Sequence, residues 1–406
     1  MKIAKIKALQ ILDSRGTPTL DVELTNDAGV SASFSVPAGA SKGENEAVEL
    51  RDGGTEYKGQ SVQKAVALIC GELAERLTGR DIPDQLHFDA ILHDYDSSPN
   101  KAKIGGNTTL ALSAAFLKLQ AASAGFPIWQ FIRDTLDTHE AFPRIFANLV
   151  NGGKHAPGLD IQEFMVVPSA TKPSQAISQI YDFHASLQSA LEKEYGSTVK
   201  LVGDEGGMAP PGAKSETVLT LMDELRHDFR SPMDLALDVA ASSFAKDGDY
   251  IYEGKQLTSS EWLDTLDALA TRFKLFSVED PAAENDRDGF ARAMRSPEKY
   301  KVIGDDLTVT SQQRIAEAAE ADLISGVIIK PNQIGTISET FGAIMTARHH
   351  KLFTIISHRS GETNDSLIID IAYGVGADGV KIGAPRRGER VAKYNRLLEI
   401  EQGVTA

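Results

Sequence analysis

Residues 326–330 read GVIIK, a short apolar run that ends in a charged side chain, and this pattern decides the fold. The same pattern recurs at LALD (235–238), LFSVED (275–280), KVIGDD (301–306), LFTIISH (352–358) and GVK (379–381). The polar residues at or near the ends of the six runs are Asp238, Glu279, Asp305, Lys330, His358 and Lys381. The first gap, from position 238 to 279, is 41 residues, and the later gaps are 23 to 28 residues.

This spacing fits a repeated strand–helix unit, because a strand, a turn, a helix and a return loop take about 25 to 30 residues. Each apolar run is therefore expected to be a buried parallel strand. TIM barrels carry their chemistry at the carboxyl ends of the strands, which is where these polar residues stand. Three carboxylates and two lysines that converge on one barrel mouth indicate a site for a divalent metal and an anion.

The first third of the chain has a different pattern. Its predicted strands are KIAKIKALQIL (2–12), TLDVELTN (19–26) and VSASFSV (30–36). Its predicted helices are SVQKAVALICGELAERLTG (61–79) and TTLALSAAFLKLQAASAG (108–125), each closed by glycine. We predict an α/β protein with an N-terminal α+β cap domain, residues 1–136, and a C-terminal β/α barrel domain, residues 137–406. Cys70 lies in the first helical stretch, and we expect it to be buried.

Composition and charge exclude several classes of protein. The chain has 406 residues, enough for two domains, and 42% of them are hydrophobic, which supplies a large core. The net charge of −15 argues against nonspecific binding to nucleic acid or to anionic membranes. Cys70 is the single cysteine, so an internal disulfide is excluded. No apolar run approaches the roughly 18 residues of a membrane span.

These features predict a cytoplasmic protein without membrane insertion. A lone cysteine fits the reducing cytosol. The N-terminus, MKIAKIKALQIL, lacks the layout of a signal peptide. A secondary display at the cell surface stays open.

Three loops are richer in small and polar residues than a connector needs. They are VPAGASKGENEAVELRDG (36–53), LVNGGKHAPGLDIQEF (149–164) and KLVGDEGGMAPP (200–211). The first contains Ser41 and suits a lid, although composition alone favours a plain surface loop. The second contains His155 and Glu163, and a lone loop histidine is more often structural. In the third, a solvated turn and a functional role are equally good interpretations of Asp204 and Glu205.

Motifs along almost the whole chain have the order and spacing of one known family. They are DSRGTPT (13–19), VPAGASKG (36–43), IGGN (104–107), NGGKHA (151–156), QEFM (162–165), VGDEGG (202–207), LDVAAS (237–242), VEDP (278–281), GDDLTVT (304–310), KPNQIGT (330–336), SHRSGET (357–363), and VKIGAP with RVAKYN (380–395). Together they closely resemble the enolases, the phosphopyruvate hydratases of glycolysis. The resemblance implies an enolase-type TIM-like barrel with an N-terminal cap. It also implies reversible dehydration of 2-phosphoglycerate, a small phosphorylated three-carbon substrate, to phosphoenolpyruvate.

The resemblance implies a magnesium site. Asp238, Glu279 and Asp305 are expected to hold a first Mg²⁺ on the substrate carboxylate, because hard oxygen ligands suit this ion. A second Mg²⁺ is expected to be recruited with substrate and held in part by Ser41, which makes two ions per active site. Salt bridges at the barrel mouth are the alternative, and the regular positions of the acids disfavour it.

The resemblance also implies roles in proton transfer. Lys330 is expected to be the catalytic base, with its neutral form favoured by the metal ions and by Lys381. Glu205 is expected to be the acid that helps the hydroxyl leave, and Glu163 beside it should keep a proton available. His155 is expected to belong to the catalytic group with these three residues. The residues expected to contact substrate are His155, Glu163, His358, Arg359, Ser360 and Lys381. Among these, Arg359 and Ser360 should bind the phosphate.

Some positions near the site depart from the usual enolase pattern, among them Ala38, Lys42, Asn45, Ser243 and Ile382. They leave open a paralogue that acts on a phosphonate analogue in a secondary pathway. A non-catalytic binding or structural protein on the same fold is a further alternative. The complete set of clustered charges argues against that last alternative, because a scaffold has no physical need for it.

The segment DSRGTPT implies an assembly. It resembles the dimer-forming segment of the family, in which Arg15 would meet an acid across the interface. An isologous dimer is the commonest symmetric assembly, so we expect a homodimer or a higher oligomer.

Overall fold

The computed structural model of the protein describes residues 1–39, 43, 45–229, 232–296 and 300–404. Ser41 and Lys42 lie outside these described residues. The strands are β1 (Ile3–Leu12), β2 (Pro18–Asn26), β3 (Ser31–Ser35), β4 (Arg144–Asn151), β5 (Glu163–Pro168), β6 (Met233–Asp238), β7 (Ala245–Lys246), β8 (Asp249–Tyr252), β9 (Lys255–Thr258), β10 (Ser277–Glu279), β11 (Lys301–Gly304), β12 (Gly326–Ile329), β13 (Phe353–Ser357) and β14 (Gly379–Lys381). The helices are α1 (Gln63–Leu68), α2 (Ala74–Leu77), α3 (Gln85–Tyr95), α4 (Gly106–Ala124), α5 (Ile128–Leu136), α6 (Pro173–Tyr195), α7 (Ser215–Asp228), α8 (Ser259–Phe273), α9 (Arg287–Met294), α10 (Gln312–Glu320), α11 (Pro331–Ile334), α12 (Ile337–His349), α13 (Leu367–Gly374) and α14 (Gly388–Glu401).

The N-terminal part is a small antiparallel sheet covered by helices. Its strand order is β1-β2-β3, and α4 packs against β2 and β3. The turn between β2 and β3 forms because the Asn26 side chain accepts hydrogen bonds from the amides of Ala28 and Val30, and Gly29 takes a positive φ of 82°. The predicted strands and the α+β character of this part are confirmed.

The predicted helix over residues 61–79 occurs in pieces. A wide turn, Ile69–Leu73, separates α1 from α2, and Gly71 within it leaves the helical region of φ and ψ. Ile69 and Leu73, four residues apart, face the core, whereas Cys70 is exposed on another side. The expectation that Cys70 is buried is therefore wrong, because an apolar stretch buries only one face of its helix.

The second part is a closed eight-stranded barrel. Its strands follow the order β4-β5-β6-β10-β11-β12-β13-β14, and β14 pairs back to β4. The six predicted runs are all parallel strands of this barrel. One strand departs from the expected pattern, since β5 is antiparallel to both β4 and β6.

The long first gap also has a structural cause. A separate antiparallel sheet of three short strands, β7, β8 and β9, is inserted between β6 and α8. Its hairpins lengthen the connection from Asp238 to Glu279 beyond one strand–helix unit.

A separate apolar cluster fills the barrel. Its members are Phe146, Met165, Val167, Ala236, Ile303, Ile328 and Ile355, each from a barrel strand. This packed interior leaves the carboxyl ends of the strands as the place for polar side chains. Among the described residues, no helix combines the length and apolarity that a bilayer crossing needs.

The N-terminal part reaches the barrel mouth. Ala38 and Gly361 exchange two backbone hydrogen bonds of 2.7 and 2.9 Å, and the amide of Ala47 donates to the carbonyl of Gln333 at 2.8 Å. The helix α5 ends at Leu136 and β4 begins at Arg144; the domain boundary between residues 136 and 137 stays a prediction.

Candidate active site

The barrel topology brings the polar strand ends together. Glu279 on β10 lies directly beside Asp238 on β6, because the two residues are paired in the parallel register. Asp305 and Lys330 follow the next two strands, β11 and β12, and Lys381 ends β14. Parallel strands end at the same rim, so these side chains share the mouth of the barrel.

One polar cavity at this mouth collects most of the predicted site residues. Its lining comprises His155, Gln162, Glu163, Glu205, Asp238, Lys330, His358, Arg359, Ser360 and Lys381. Of these residues, only Gln162 was not predicted. A larger cavity of about 520 Å³ lies elsewhere, between α3, α5 and α12, and its walls are mostly apolar. The candidate site is therefore identified by its converging charged groups and not by the volume of the cavity.

Lys381 is the centre of a buried charge cluster. Its Nζ atom lies 2.8 Å from Glu279 Oε2, 3.0 Å from Asp238 Oδ2 and 3.2 Å from Glu163 Oε1. Burial alone would lower the pKa of Lys381, but the surrounding carboxylates outweigh burial and raise this pKa well above its ordinary value. Burial and the neighbouring Asp238 raise the pKa of Glu279 well above its ordinary value.

Lys330 makes a direct ion pair with Asp305. Burial would lower the pKa of Lys330, but the charge of Asp305 overcomes burial and raises it. The other oxygen of Asp305 accepts a hydrogen bond of 2.9 Å from Gln333 Nε2. In this arrangement Lys330 carries its proton, so its expected neutral form requires a cation that competes for the Asp305 carboxylate.

Glu163, His155 and Glu205 form a row of buried titratable groups. His155 Nδ1 lies 3.7 Å from Glu163 Oε1, and His155 Nε2 lies 3.6 Å from Glu205 Oε1. Burial raises the pKa of Glu163 well above its ordinary value, and Glu205 adds to this shift. Burial would also raise the pKa of Glu205, but His155 and His358 hold it well below its ordinary value. The pKa values of the two carboxyl groups are therefore shifted in opposite directions, so Glu163 binds a proton more readily than Glu205 does.

Donors around Glu205 explain this asymmetry. Asn148 Nδ2 donates to Glu205 Oε2 at 2.9 Å, and His358 Nε2 lies 3.4 Å from Glu205 Oε1. Arg390 Nη1 lies 2.6 Å from His358 Nδ1. Because a guanidinium can only donate, Nδ1 accepts, and the hydrogen of the neutral ring sits on Nε2, toward Glu205. Burial lowers the pKa of His358 to about 4, which keeps the ring neutral.

Arg359 and Ser360 lie at the side of the cavity nearest the N-terminal part. Arg359 Nη1 donates to Glu46 Oε2 at 2.9 Å and to Asn332 Oδ1 at 3.1 Å. Ser360 Oγ accepts a hydrogen bond of 3.5 Å from Arg15 Nη1. Arg15 thus contacts the site of its own chain, and its expected partner across an interface stays a prediction.

Comparison with known proteins agrees with this geometry. Residues 3–132 match the family model described as the N-terminal domain of enolase, and residues 139–406 match that of the enolase C-terminal TIM barrel domain. The chain belongs to the enolase family. It is therefore a hydro-lyase, and the enolase reaction interconverts 2-phosphoglycerate and phosphoenolpyruvate.

Three curated relatives are similar over nearly their full length. The protein named Enolase of Elusimicrobium minutum is 41% identical over 408 residues, covering 99% of this chain and 96% of that protein. Those of Aeropyrum pernix and Sulfurisphaera tokodaii are 40% and 41% identical, covering 98% of this chain and 94% and 95% of their own lengths. The enolase resemblance read from the motifs is confirmed, and the two alternative functions are not favoured.

Two groups of side chains in the described part of the chain could bind a divalent metal ion. They are His155 with Glu163 and Glu205, and Asp280 with Asp305 and Asp306; within each group the ligand atoms lie within 4.8 Å of one another. The predicted set of Asp238, Glu279 and Asp305 is not one of these groups. Lysine ammonium groups contact all three of these carboxylates instead.

Several residues that support the site were missed from the sequence. Asp280 takes a positive φ of 42°, and its carboxylate accepts the amides of Asp305 and Asp306 at 2.9 and 2.8 Å. It thereby holds the loop after β11, at a strained backbone position of the kind found at functional sites. The VEDP motif contains Asp280, and only its place beside Glu279 hinted at a role.

Proposed function

We propose that this enolase dehydrates 2-phosphoglycerate in the cytoplasm as a step of glycolysis, with Lys330 as base and Glu205 as the final proton donor. The observation that supports this proposal is the convergence of Lys330, Glu205, Lys381 and Arg359 on one buried polar cavity. A phosphorylated three-carbon acid needs a cation at each end and a base and an acid between them.

In the first step, neutral Lys330 Nζ takes the proton from C2 of the substrate. The electron pair of the broken C–H bond moves into the carboxylate, which gains a second negative charge. We assign the stabilisation of this charge to Lys381, because it is a buried cation that lines the cavity. In this proposal Arg359 and Ser360 hold the phosphate, and His358 and His155 line the same cavity.

In the second step, the electron pair returns from the carboxylate to form the C2=C3 double bond, the C3–O bond breaks, and the hydroxyl takes up a proton and leaves as water. Glu205 gives the proton, which it first receives from Glu163 through His155. Glu163 donates to Nδ1 of the ring while Nε2 donates to Glu205, so each transfer moves one proton and leaves the ring neutral. Contacts of 3.6 and 3.7 Å are long for hydrogen bonds, and we expect them to shorten when substrate binds.

We propose that the carboxylates at the strand ends hold magnesium. Asp238, Glu279 and Asp305, which end or follow three neighbouring strands, would supply oxygen ligands in place of their contacts with Lys330 and Lys381, and a buried carboxylate with a raised pKa, such as Glu279, would gain from a nearby cation. Mg²⁺ held there would stabilise the added charge on the substrate carboxylate and disfavour the charged form of Lys330. A second ion recruited with substrate and held partly by Ser41 belongs to the same proposal.

We also propose that the protein assembles as a homodimer. The edge strand β1 exposes Leu9 and Leu12, and Leu201 is 70% exposed. Arg387 links these regions, since it donates to the carbonyl of Ser14 at 2.5 Å and to that of Gly203 at 3.3 Å. Exposed apolar side chains around one polar contact are typical of a protein interface.

Solvent exchange of the C2 proton tests the assignment of base and acid. Lys330→Ala should abolish incorporation of deuterium into 2-phosphoglycerate. Glu205→Gln should preserve this exchange and block formation of phosphoenolpyruvate, because the acid acts only when the hydroxyl leaves. Glu224→Gln, at an exposed position of α7, is the control and should change neither reaction. Exchange at the wild-type rate in Lys330→Ala would mean that another residue is the base.

A further inference from the structure

Glu46 is a buried carboxylate of the N-terminal part that the proposed reaction does not use. It contacts both terminal nitrogens of Arg359, at 2.9 Å from Nη1 to Oε2 and 3.3 Å from Nη2 to Oε1. The two side chains are only 6% and 4% exposed. This is the two-pronged geometry in which a carboxylate fixes the plane of a guanidinium.

The same carboxylate has partners on two sides. Its Oε1 atom accepts the amide of Gly43 at 3.1 Å and lies 3.4 Å from Gln333 Nε2. Gln333 Nε2 also donates to Asp305 at 2.9 Å, and Gln333 Oε1 accepts from Thr310 Oγ1 at 2.6 Å. Glu46 thus connects the N-terminal part to Arg359 and, through Gln333, to the carboxylate beside Lys330.

We propose that Glu46 is a positioning residue that orients Arg359 for the substrate phosphate, so that the phosphate subsite is built from both parts of the chain. The inference rests on the proposed role of Arg359 in phosphate binding. An arginine side chain has many rotamers, and one held in place before binding loses less entropy when the ligand arrives. The contacts with Glu46 use two of the five N–H donors of the guanidinium.

The charge of Glu46 opposes this effect, because a carboxylate repels a phosphate. We nevertheless expect the orientation of the Arg359 guanidinium to affect phosphate binding more than this repulsion does. A glutamine at position 46 would turn an NH₂ group toward one of the Arg359 N–H groups or toward the Gly43 amide, and facing donors push each other apart. The guanidinium would then leave its bound orientation.

A purely structural ion pair is the competing explanation, and the chain offers a matched control for it. Lys101 of the N-terminal part pairs with Glu339 of α12 at 2.9 Å, so this pair also joins the two parts of the chain. Neither residue lines the polar cavity. Glu339→Gln removes a bridging charge from a more exposed pair, in which the Glu339 side chain is 40% exposed, without touching the phosphate subsite.

The test compares two ligands that differ in the phosphate group. The dissociation constants of phosphoenolpyruvate and of D-glycerate, which has no phosphate, are measured by calorimetric titration in the presence of Mg²⁺. The proteins compared are wild type, Glu46→Gln, Glu46→Asp, Glu339→Gln and Arg359→Lys. We expect Glu46→Gln to weaken phosphoenolpyruvate binding about tenfold and D-glycerate binding less than twofold. Glu46→Asp keeps the charge on a shorter side chain and should lie between wild type and Glu46→Gln. Glu339→Gln should bind both ligands as wild type does.

Two results would overturn the inference: unchanged or tighter phosphoenolpyruvate binding by Glu46→Gln, or an equal loss for both ligands. If Glu46→Gln does not fold, the same criteria apply to Glu46→Asp. Arg359→Lys separates this inference from the function on which it rests. If Arg359→Lys binds phosphoenolpyruvate as tightly as wild type does, Arg359 does not bind the phosphate and the proposed function is wrong on this point. If Arg359→Lys binds phosphoenolpyruvate more weakly but Glu46→Gln does not, only the proposed role of Glu46 is wrong.

Discussion

At the residue scale, the site depends on how a few buried charges share protons. Neighbouring carboxylates outweigh burial and raise the pKa of Lys330 and of Lys381, whereas the pKa of Glu163 is raised and that of Glu205 is lowered. The sequence predicted which residues converge, because each follows an apolar run or lies in a distinctive motif. It could not predict which of the two acids has the raised pKa, since that depends on burial and on donors such as Asn148, which come from a distant strand.

Glu46 is another residue whose place in the site could not be predicted from the sequence. It lies inside a loop that the sequence singled out, yet neither its spacing nor its neighbours separate it from Glu44 or Glu49. Only the approach of the loop to Arg359 in the folded chain distinguishes it.

Asp89 supports a prediction on pH and stability. This buried residue of α3 accepts the amide of Ser338 at 2.9 Å, and burial raises its pKa to about 6. Its unfolded pKa is close to 3.9, so between about pH 4 and pH 6 the folded state binds more protons than the unfolded state. The free energy of unfolding should therefore fall as pH rises through this range, by roughly 3 kcal/mol at most, and stay lower above it.

Denaturant unfolding from pH 4 to pH 7 measures this effect. Asp89→Asn cannot ionise, so the fall in its free energy of unfolding should be smaller than that of wild type over the same range. Parallel pH profiles for the two proteins would contradict the raised pKa of Asp89.

At the element scale, periodicity predicted the barrel strands and the N-terminal sheet. It did not predict that β5 is antiparallel to its neighbours or that β7, β8 and β9 are inserted after β6. The run EFMVVP is fully buried in β5, and an apolar run of this kind reads the same in a parallel or an antiparallel strand. Its direction follows from the short connection after β4, which lets β5 return beside β4. The hairpins of β7, β8 and β9 appear in the sequence only as a gap that is too long.

Gly326 supports a prediction on the packing of β12. A side-chain carbon at this position would lie 2.5 Å from Ile303 Cδ1 and 2.6 Å from the carbonyl oxygen of Phe353. Gly326→Ala should therefore lower the free energy of unfolding by roughly 2 kcal/mol, because neither neighbour can yield without disturbing the barrel. Chemical denaturation measures the change. Gly388→Ala, where nothing lies within 4 Å, is the control; equal stability of both variants would mean that β12 tolerates the added carbon.

At the scale of the whole molecule, the chain is acidic, and its candidate site gathers charges of both signs. The net charge of −15 is an average, and the cations Lys330, Lys381 and Arg359 in the cavity each lie beside carboxylates. The sequence predicted this organisation into a cap and a barrel because its periodicity changes along the chain.

The proposed homodimer gives a prediction on assembly. Light scattering at micromolar concentration should give twice the chain mass of 43.8 kDa. Leu9→Glu should shift the protein toward monomer, because it puts a charge into the proposed apolar interface. Leu86→Glu changes a similarly exposed leucine on α3 and should leave the dimer intact. A wild-type monomer would contradict the proposal.

The most direct measurement of the central claim is the formation of phosphoenolpyruvate from 2-phosphoglycerate, followed by its ultraviolet absorbance. With Mg²⁺ present, the protein should form phosphoenolpyruvate; an excess of chelator should abolish the reaction, and added Mg²⁺ should restore it. Asp305→Asn should need more Mg²⁺ for the same rate while keeping a folded barrel. No product with Mg²⁺, or a full rate in excess chelator, would contradict a metal-assisted enolase site at this barrel mouth.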